Sequence, residues 1–136
     1  MSYIPEKLRR LVINRADNRC EYCRLAQAGQ EATFHIDHIV PEIAGGPTSS
    51  RNLALACVSC SLRKAARQTA LDPQTGTEVP LFHPRRDRWA EHFVWSDLKL
   101  LGLTASGHAT IAALELNRPS IQAIRAEEEL LGRHPG

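Results

Sequence analysis

The amino-acid sequence predicts an α+β fold, in which a small core held together by a metal ion is followed by a C-terminal extension of strands and helices. Three observations support this prediction. Four cysteines form two Cys-x-x-Cys pairs, a strand-like apolar segment lies between the pairs, and helix-like apolar spacing occurs before the first pair and near the C-terminus. We place the core at residues 1–71 and the extension, which we expect to pack on the core, at residues 72–136.

The segment before the first cysteine pair predicts a helix. Pro5 can occupy the first turn of this helix, and Leu8, Leu11 and Val12 then lie on one face. We expect the helix to end near Asp17, at a turn that leads into the first cysteine pair.

The cysteines at positions 20, 23, 57 and 60 predict a structural zinc ion. A Cys-x-x-Cys pair can fold as a knuckle that presents both sulfurs to one metal, and two knuckles complete a tetrahedral site with no position left for water. The alternatives are two disulfides or a redox-active pair. Disulfides are rare in cytoplasmic proteins, and redox chemistry needs only one pair. We therefore predict that Cys20, Cys23, Cys57 and Cys60 hold Zn²⁺.

Residues 34–40 predict a strand, which Pro41 ends. Strict alternation along this strand places His38 on one face and both His35 and Asp37 on the other face.

The segment from residue 42 to residue 51 is rich in turn-forming residues and predicts a loop, which Asn52 ends. Residues 53–56 then predict a short apolar return strand. After the second cysteine pair we expect a helix over about residues 59–69.

The extension begins with turns and holds most of the aromatic residues, and we interpret these aromatics as core residues. Alternation around residues 92–101 predicts one or two strands. Thr104 or Ser106 can cap a helix, and Pro119 opens a final helix that Gly132 ends. The residues that we expect to face inward from this final helix are Ile121, Ile124 and Leu131.

Composition and charge narrow the functional class only partly. An apolar share of 43% and a charged share of 24% are ordinary for a globular protein. The sequence contains no apolar run long enough to cross a bilayer and no export signal, so we expect a cytoplasmic protein without a membrane partner.

The distribution of positive charge is more informative than the net charge of +2. The segment between residues 51 and 67 contains four basic residues and no acidic one. Such a cluster can be a solvated surface or a contact for nucleic-acid phosphates, which would position the nucleic acid without recognising its sequence. The candidate contacts are Arg51, Arg63, Lys64 and Arg67.

The dipeptide Asp37-His38 carries the residue types needed to hydrolyse a phosphodiester. A carboxylate can hold Mg²⁺ or Mn²⁺ through oxygen. A neutral histidine can take the proton from an attacking water. A histidine on a strand is often only structural, but this dipeptide lies between two halves of a predicted metal site and before a basic helix.

The motifs taken together resemble the bacterial HNH endonucleases, and the continuation Asp72-Pro73-x-Thr75-Gly76, Leu81-Phe82-x-Pro84-Arg85 and Gly102-Leu103-Thr104 resembles one small bacterial branch of that family. The resemblance rests on Cys20-x-x-Cys23, His35-Ile-Asp37-His38-Ile-Val-Pro41, Gly45-Gly46, Asn52-Leu53 and Cys57-x-x-Cys60-Ser61-x-x-Lys64. It implies a ββα-metal fold and a metal-dependent endonuclease that hydrolyses phosphodiester bonds in DNA. It also implies that His38 is the general base, that Asp37 binds a catalytic Mg²⁺ or Mn²⁺, and that Asn52 ties down the loop and helps to orient the histidine.

The sequence departs from the family at Ser61, where the family usually has His or Asn as a metal ligand. A serine hydroxyl is a weaker ligand, so the cation could depend on Asp37 and substrate phosphate. His35 or His83 could compensate if the fold brings either of them near. The alternative is a zinc-stabilised nucleic-acid-binding module without activity. A zinc-ribbon module that binds proteins is less favoured, because it leaves the Asp-His dipeptide and Asn52 without a role.

Overall fold

The chain builds its first structural unit around the two cysteine pairs. Our computed structural model describes residues 3–136 and divides into two units, one ending at Ala66 and the other beginning at Arg67. The first unit contains helix α1 (Glu6–Arg15), strands β1 (His35–His38) and β2 (Leu53–Ala56), and helix α2 (Val58–Lys64). The second contains β3 (Thr69–Leu71), β4 (Glu78–Pro80), α3 (Trp89–His92), β5 (Phe93–Ser96), β6 (Lys99–Gly102), α4 (Ala105–Leu114) and α5 (Pro119–Leu130).

Strands β1 and β2 form an antiparallel pair, in which His35 lies opposite Ala56 and His38 lies opposite Leu53. Strand β2 contains only leucine and alanine, and all four of its residues are buried. Strand β1 is polar and lies nearer the surface, as expected for a sheet with one solvated side. Helix α2 follows β2 through Cys57, so the hairpin and the helix form a ββα unit. The predicted α+β fold is confirmed.

Helix α1 begins after Pro5 and buries Val12 completely, whereas Leu11 is 45% exposed. The helix ends close to the predicted position, because Asp17 adopts a positive φ that leaves the helical conformation. Arg15, the last residue of α1, donates hydrogen bonds to the carbonyls of Ser50 and Leu53, at 2.8 Å in both cases. These bonds connect the helix to the start of β2.

Helix α2 is shorter than the sequence predicted. Its first turn is capped by Cys57, whose sulfur accepts from the N–H of Cys60 at 3.4 Å. The helix ends at Lys64, because Ala65 takes φ +48° and turns the chain away. The prediction of a helix to residue 69 is therefore wrong, and residues 69–71 form a strand that pairs with residues 78–80.

The second unit contains two antiparallel hairpins, β3–β4 and β5–β6. The second hairpin and helix α4 agree with the sequence prediction, and the cap of α4 is Thr104, whose hydroxyl oxygen accepts from the N–H of Gly107 at 3.0 Å. Aromatic rings pack together inside this unit, as predicted. Phe93 is 2% exposed, and its ring centroid lies 5.1 Å from that of Trp89 and 5.4 Å from that of Phe82.

Helix α5 buries a different row of side chains from the one predicted. Ile121 is buried, but Leu131 is 63% exposed and follows the last helical residue. Four and seven residues after Ile121, Arg125 and Glu128 are also buried on the same side of the helix. Arg125 donates to the carbonyl of Leu116, and Glu128 forms an ion pair with Arg133. The prediction that Leu131 faces inward is wrong. No helix within residues 3–136 is both long and apolar enough to span a membrane.

Candidate active site

The four cysteines converge on one buried point. Their sulfur atoms all lie within 4.8 Å of one another, and the sulfurs of Cys23 and Cys57 are 3.8 Å apart. A tetrahedral site with metal–sulfur bonds of 2.3 Å has edges of about 3.8 Å. The spacing therefore fits a single metal ion bound by four sulfurs, one pair from each knuckle.

The electrostatics of this cluster are compatible with a bound cation. Burial raises the pKa of Cys20, whereas hydrogen bonds from the neighbouring thiols lower the pKa of Cys57. Four thiolates cannot share this buried space without a positive ion, since buried charges need a partner. The donor set of sulfur atoms suits a structural metal such as zinc.

The first knuckle is attached to the sheet by Glu21. Its backbone N–H donates to the carbonyl of Leu55 at 2.8 Å, and its carboxylate accepts from the N–H of Leu55 at 2.9 Å. These two bonds attach the first knuckle to β2, which pairs with β1.

A groove of about 580 Å³ runs along β1. Its lining includes Asp37, His38 and His35 from the strand together with Arg9 from helix α1. The groove therefore brings a carboxylate, two imidazoles and a guanidinium to one surface.

Arg9 was not identified from the sequence, because α1 was interpreted only through its apolar residues. The sequence did contain evidence for this position, because Arg9 lies three residues before Val12 and therefore on the buried side of the helix.

Asp37 is held by helix α2. The hydroxyl of Ser61 donates to the carboxylate of Asp37 at 3.0 Å, and the same oxygen lies 2.8 Å from Nδ1 of His35. Alternation along β1 places His35 and Asp37 on one face, and Ser61 joins them. The three side chains form one polar chain.

His38 has its own set of partners. Its Nε2 lies 2.8 Å from the hydroxyl of Thr48, and its Nδ1 lies 3.7 Å from the carboxylate of Glu42. Both partners belong to the loop between β1 and β2. This loop therefore determines the orientation of the imidazole.

Asn52 fixes the same loop from inside. The residue is buried, and its side-chain amide bonds to the N–H of Val40, to the carbonyl of Val40 and to the carbonyl of Pro47, each at 2.9 Å. Gly46 packs against the carbonyl of Val40, where a side chain would collide with it.

Lys64 lies inside the first unit, with 2% of its surface exposed. Its ammonium group donates to the carbonyl of Ile39 at 3.0 Å. Burial lowers the pKa of Lys64, and the negative charge of Asp37 acts in the opposite direction. The expectation that Lys64 contacts phosphate does not fit this position, because a buried ammonium cannot reach a bound nucleic acid.

The other basic residues differ in their placement. Arg51 is exposed on the turn that precedes β2, and Arg63 is half-buried and donates to the hydroxyl of Ser59. Arg67 lies beyond the end of α2, and its guanidinium donates to the carbonyl of Ala113 in the second unit at 3.1 Å. The predicted basic helix face is thus reduced to Arg63.

His83 belongs to the second unit, where its Nδ1 accepts from the backbone N–H groups of Arg85 and Arg86 at 3.1 and 3.2 Å. These bonds give His83 a structural role in a turn. His35 is the histidine that the fold brings to Ser61.

Residues 20–67 match the family model described as HNH endonuclease. Neither the comparison with curated proteins nor that with solved structures finds a match. The matched segment contains both knuckles, the β1–β2 hairpin and helix α2. The family assignment of this segment agrees with its ββα fold and with its four-cysteine cluster.

Proposed function

We propose, from the HNH endonuclease match of residues 20–67, that this protein is a metal-dependent endonuclease that hydrolyses phosphodiester bonds in DNA. One observation carries the proposal. Asp37 and His38 line a single groove, which Arg9 borders with a positive charge. A phosphate in this groove would meet a candidate metal ligand, a candidate base and a cation together.

His38 is proposed as the general base. An attacking water would take the place of the Thr48 hydroxyl, which lies 2.8 Å from Nε2. Nε2 takes a proton from this water, and the water oxygen then forms a bond to phosphorus. The phosphorus–oxygen bond to the leaving group breaks, and the leaving oxygen takes up a proton from solvent. The carboxylate of Glu42 stabilises the imidazolium that this transfer produces.

Asp37 is proposed as a ligand of the catalytic cation. Its carboxylate and the hydroxyl of Ser61 are oxygen donors, which Mg²⁺ and Mn²⁺ prefer. When bound, such an ion would neutralise the charge that develops on the phosphate and on the leaving oxygen. The bond from Ser61 keeps the Asp37 carboxylate in one orientation, so the donor is already positioned.

The DNA backbone is proposed to contact Arg9 in the groove, the exposed Arg51 and the half-buried Arg63. Such contacts set the register of the duplex and provide salt-dependent affinity, but they carry no sequence information. Asn52 supports the reaction indirectly, because it holds the loop that carries the partners of His38.

A plasmid-nicking assay with Mg²⁺ or Mn²⁺ tests the proposal. The wild type should convert supercoiled plasmid to nicked or linear forms. His38→Ala should lower the rate by about 10²- to 10⁴-fold, since removal of a general base typically has this effect. DNA affinity and zinc content should be unchanged. A wild type that cuts only a matched RNA would refute the assignment of DNA as the substrate. Equal cleavage by the variant would refute the role of His38.

A binding module that has lost its chemistry is the second candidate, and Ser61 is the observation that favours it. This candidate predicts salt-dependent DNA binding by the wild type with no cleavage at any concentration of magnesium or manganese. The same assay, run beside a fluorescence-anisotropy titration, separates the two functions.

A further inference from the structure

We infer that His35 is a protein ligand of the catalytic cation and supplies the nitrogen ligand that a serine at position 61 cannot supply. This inference rests on the proposed function, because it concerns the cation site at Asp37. It adds a residue and a metal preference to that site.

The argument begins with distances. Nδ1 of His35 lies 2.8 Å from the Ser61 oxygen, and Oδ1 of Asp37 lies 3.0 Å from the same oxygen. Adjacent ligands of an octahedral ion with bonds of 2.1 Å are about 3.0 Å apart. The Ser61 oxygen therefore lies at the separation of neighbouring ligands from both the His35 nitrogen and the Asp37 oxygen.

The hydrogen bonds of Ser61 explain how Nδ1 of His35 could become available to an ion. A carboxylate only accepts, so the single hydroxyl proton of Ser61 is donated to Asp37. The Ser61 oxygen must then accept from Nδ1 of His35, which carries the ring proton in the ion-free protein. In the tautomer that carries its proton on Nε2, which forms by exchange with solvent, the lone pair of Nδ1 would be available to an ion held by Asp37.

Exposure and position support a ligand role for His35. The residue is exposed and lines the groove, so neither packing nor burial accounts for its orientation toward Ser61. Its place two residues before Asp37 puts both side chains on one face of β1. An exposed ring on this face can reach an ion held by Asp37 without any movement of the strand.

The chemistry of imidazole gives the site a metal preference. Nitrogen ligands favour transition metals over Mg²⁺, whereas a site made only of oxygen atoms does not. The protein should therefore bind Mn²⁺, and more strongly Co²⁺ or Ni²⁺, at the groove. The sulfur cluster should retain zinc under these conditions, because thiolates prefer zinc.

Manganese binding to zinc-loaded protein tests the inference without any substrate. Electron paramagnetic resonance measures free Mn²⁺, whose signal falls as the ion binds. The wild type should bind Mn²⁺, and His35→Ala should weaken this binding about tenfold or more, a loss typical of altered metal sites. His38→Ala is the matched control, because His38 lies on the same strand but faces other partners. It should retain the affinity of the wild type. Adding Ser61→His to His35→Ala should restore binding.

Each outcome has a defined meaning. Wild-type affinity in His35→Ala, equal losses in both histidine variants, or no Mn²⁺ binding by the wild type would overturn the inference. Circular dichroism and zinc content exclude unfolding as the cause of a loss. If the wild type cuts DNA while His35→Ala binds Mn²⁺ normally, the inference fails and the proposed function stands. If Mn²⁺ binds through His35 and DNA is never cut, the proposed function fails and the inference stands.

Discussion

Asn52 holds Val40 by both of its backbone groups. The side-chain Oδ1 of Asn52 accepts from the N–H of Val40, and Nδ2 donates to the carbonyl of the same residue, each at 2.9 Å. One amide side chain thus takes the place of a strand neighbour just beyond the end of β1. Its third bond, to the carbonyl of Pro47, closes the loop that orients His38. The stability of the fold and the geometry of the proposed base depend on the same residue.

Replacing Asn52 should therefore affect stability and cleavage together. Asn52→Ala leaves three backbone groups without a side-chain partner, and we expect a loss of at least 1–3 kcal/mol, roughly the cost of one unsatisfied buried group. Asn52→Asp should lose more, because a carboxylate cannot donate to the carbonyls of Val40 and Pro47. Urea unfolding measures the free energy of unfolding of both variants. The exposed Asn14→Ala is the control and should change stability by less than about 0.5 kcal/mol. Equal stability of Asn52→Ala and the wild type would contradict the role of this residue.

The sulfur cluster should supply much of the folding energy of the first unit. Cys57→Ser removes one sulfur ligand, although serine can still cap α2, and we expect loss of the bound metal and of the helical signal that α1 and α2 contribute. Metal analysis and circular dichroism measure these effects, with Ser59→Ala in the same knuckle as a control that keeps all four sulfurs. A well-folded wild type purified without any bound metal would contradict the prediction.

Arg9 should contribute to DNA affinity through phosphate contact. Arg9→Gln should reduce the slope of log affinity against log salt by about 0.9, the value for one lost phosphate contact. Arg10→Gln is a matched control, because Arg10 is the next residue of α1, is exposed, and lies 3.9 Å from Glu6. Fluorescence anisotropy at several salt concentrations gives both slopes. Equal salt-dependence slopes for the two variants would indicate that the DNA phosphates do not contact Arg9 in the groove.

The parts of this fold that the sequence predicted depend on local patterns. The spacing of each cysteine pair is a property of four consecutive residues, and the bounds of β2 follow from an apolar run between turn signals. The end of α2 was missed because Ala65 is a good helix former that nonetheless adopts a positive φ. Strand β3 was missed because its partner, residues 78–80, lies beyond a turn.

In the candidate site, too, local sequence patterns could be predicted and contacts between distant residues could not. The Asp-His dipeptide could be identified from sequence, since its residue types suffice to suggest chemistry. The contact between His35 and Ser61 could not, because the β1–β2 register and the second knuckle together bring these residues into contact. The burial of Lys64 could not be predicted from the sequence either, since a lysine at the end of a short helix is ordinarily solvated.

The metal requirement for cleavage should respond to the residue at position 61. Magnesium binds well through a carboxylate, waters and substrate phosphate, and it gains little from the imidazole of His35. We therefore expect the wild type to need magnesium at roughly millimolar concentration, an order of magnitude that follows from this sparse set of oxygen ligands. Ser61→Asn adds a longer oxygen donor on the same helix face and should lower the required magnesium concentration. Ser61→His should instead lower the requirement for manganese or nickel, because imidazole favours these ions.

The measurement is the initial nicking rate against metal concentration for the wild type and both variants, with Ser61→Ala as the control that removes the hydroxyl without adding a ligand. If the wild type is already saturated at micromolar magnesium and neither substitution moves the curve, position 61 does not face the catalytic ion. If the wild type is inactive at every concentration and Ser61→Asn restores cleavage, the present protein is a binding module, and this serine is the reason that its chemistry was lost.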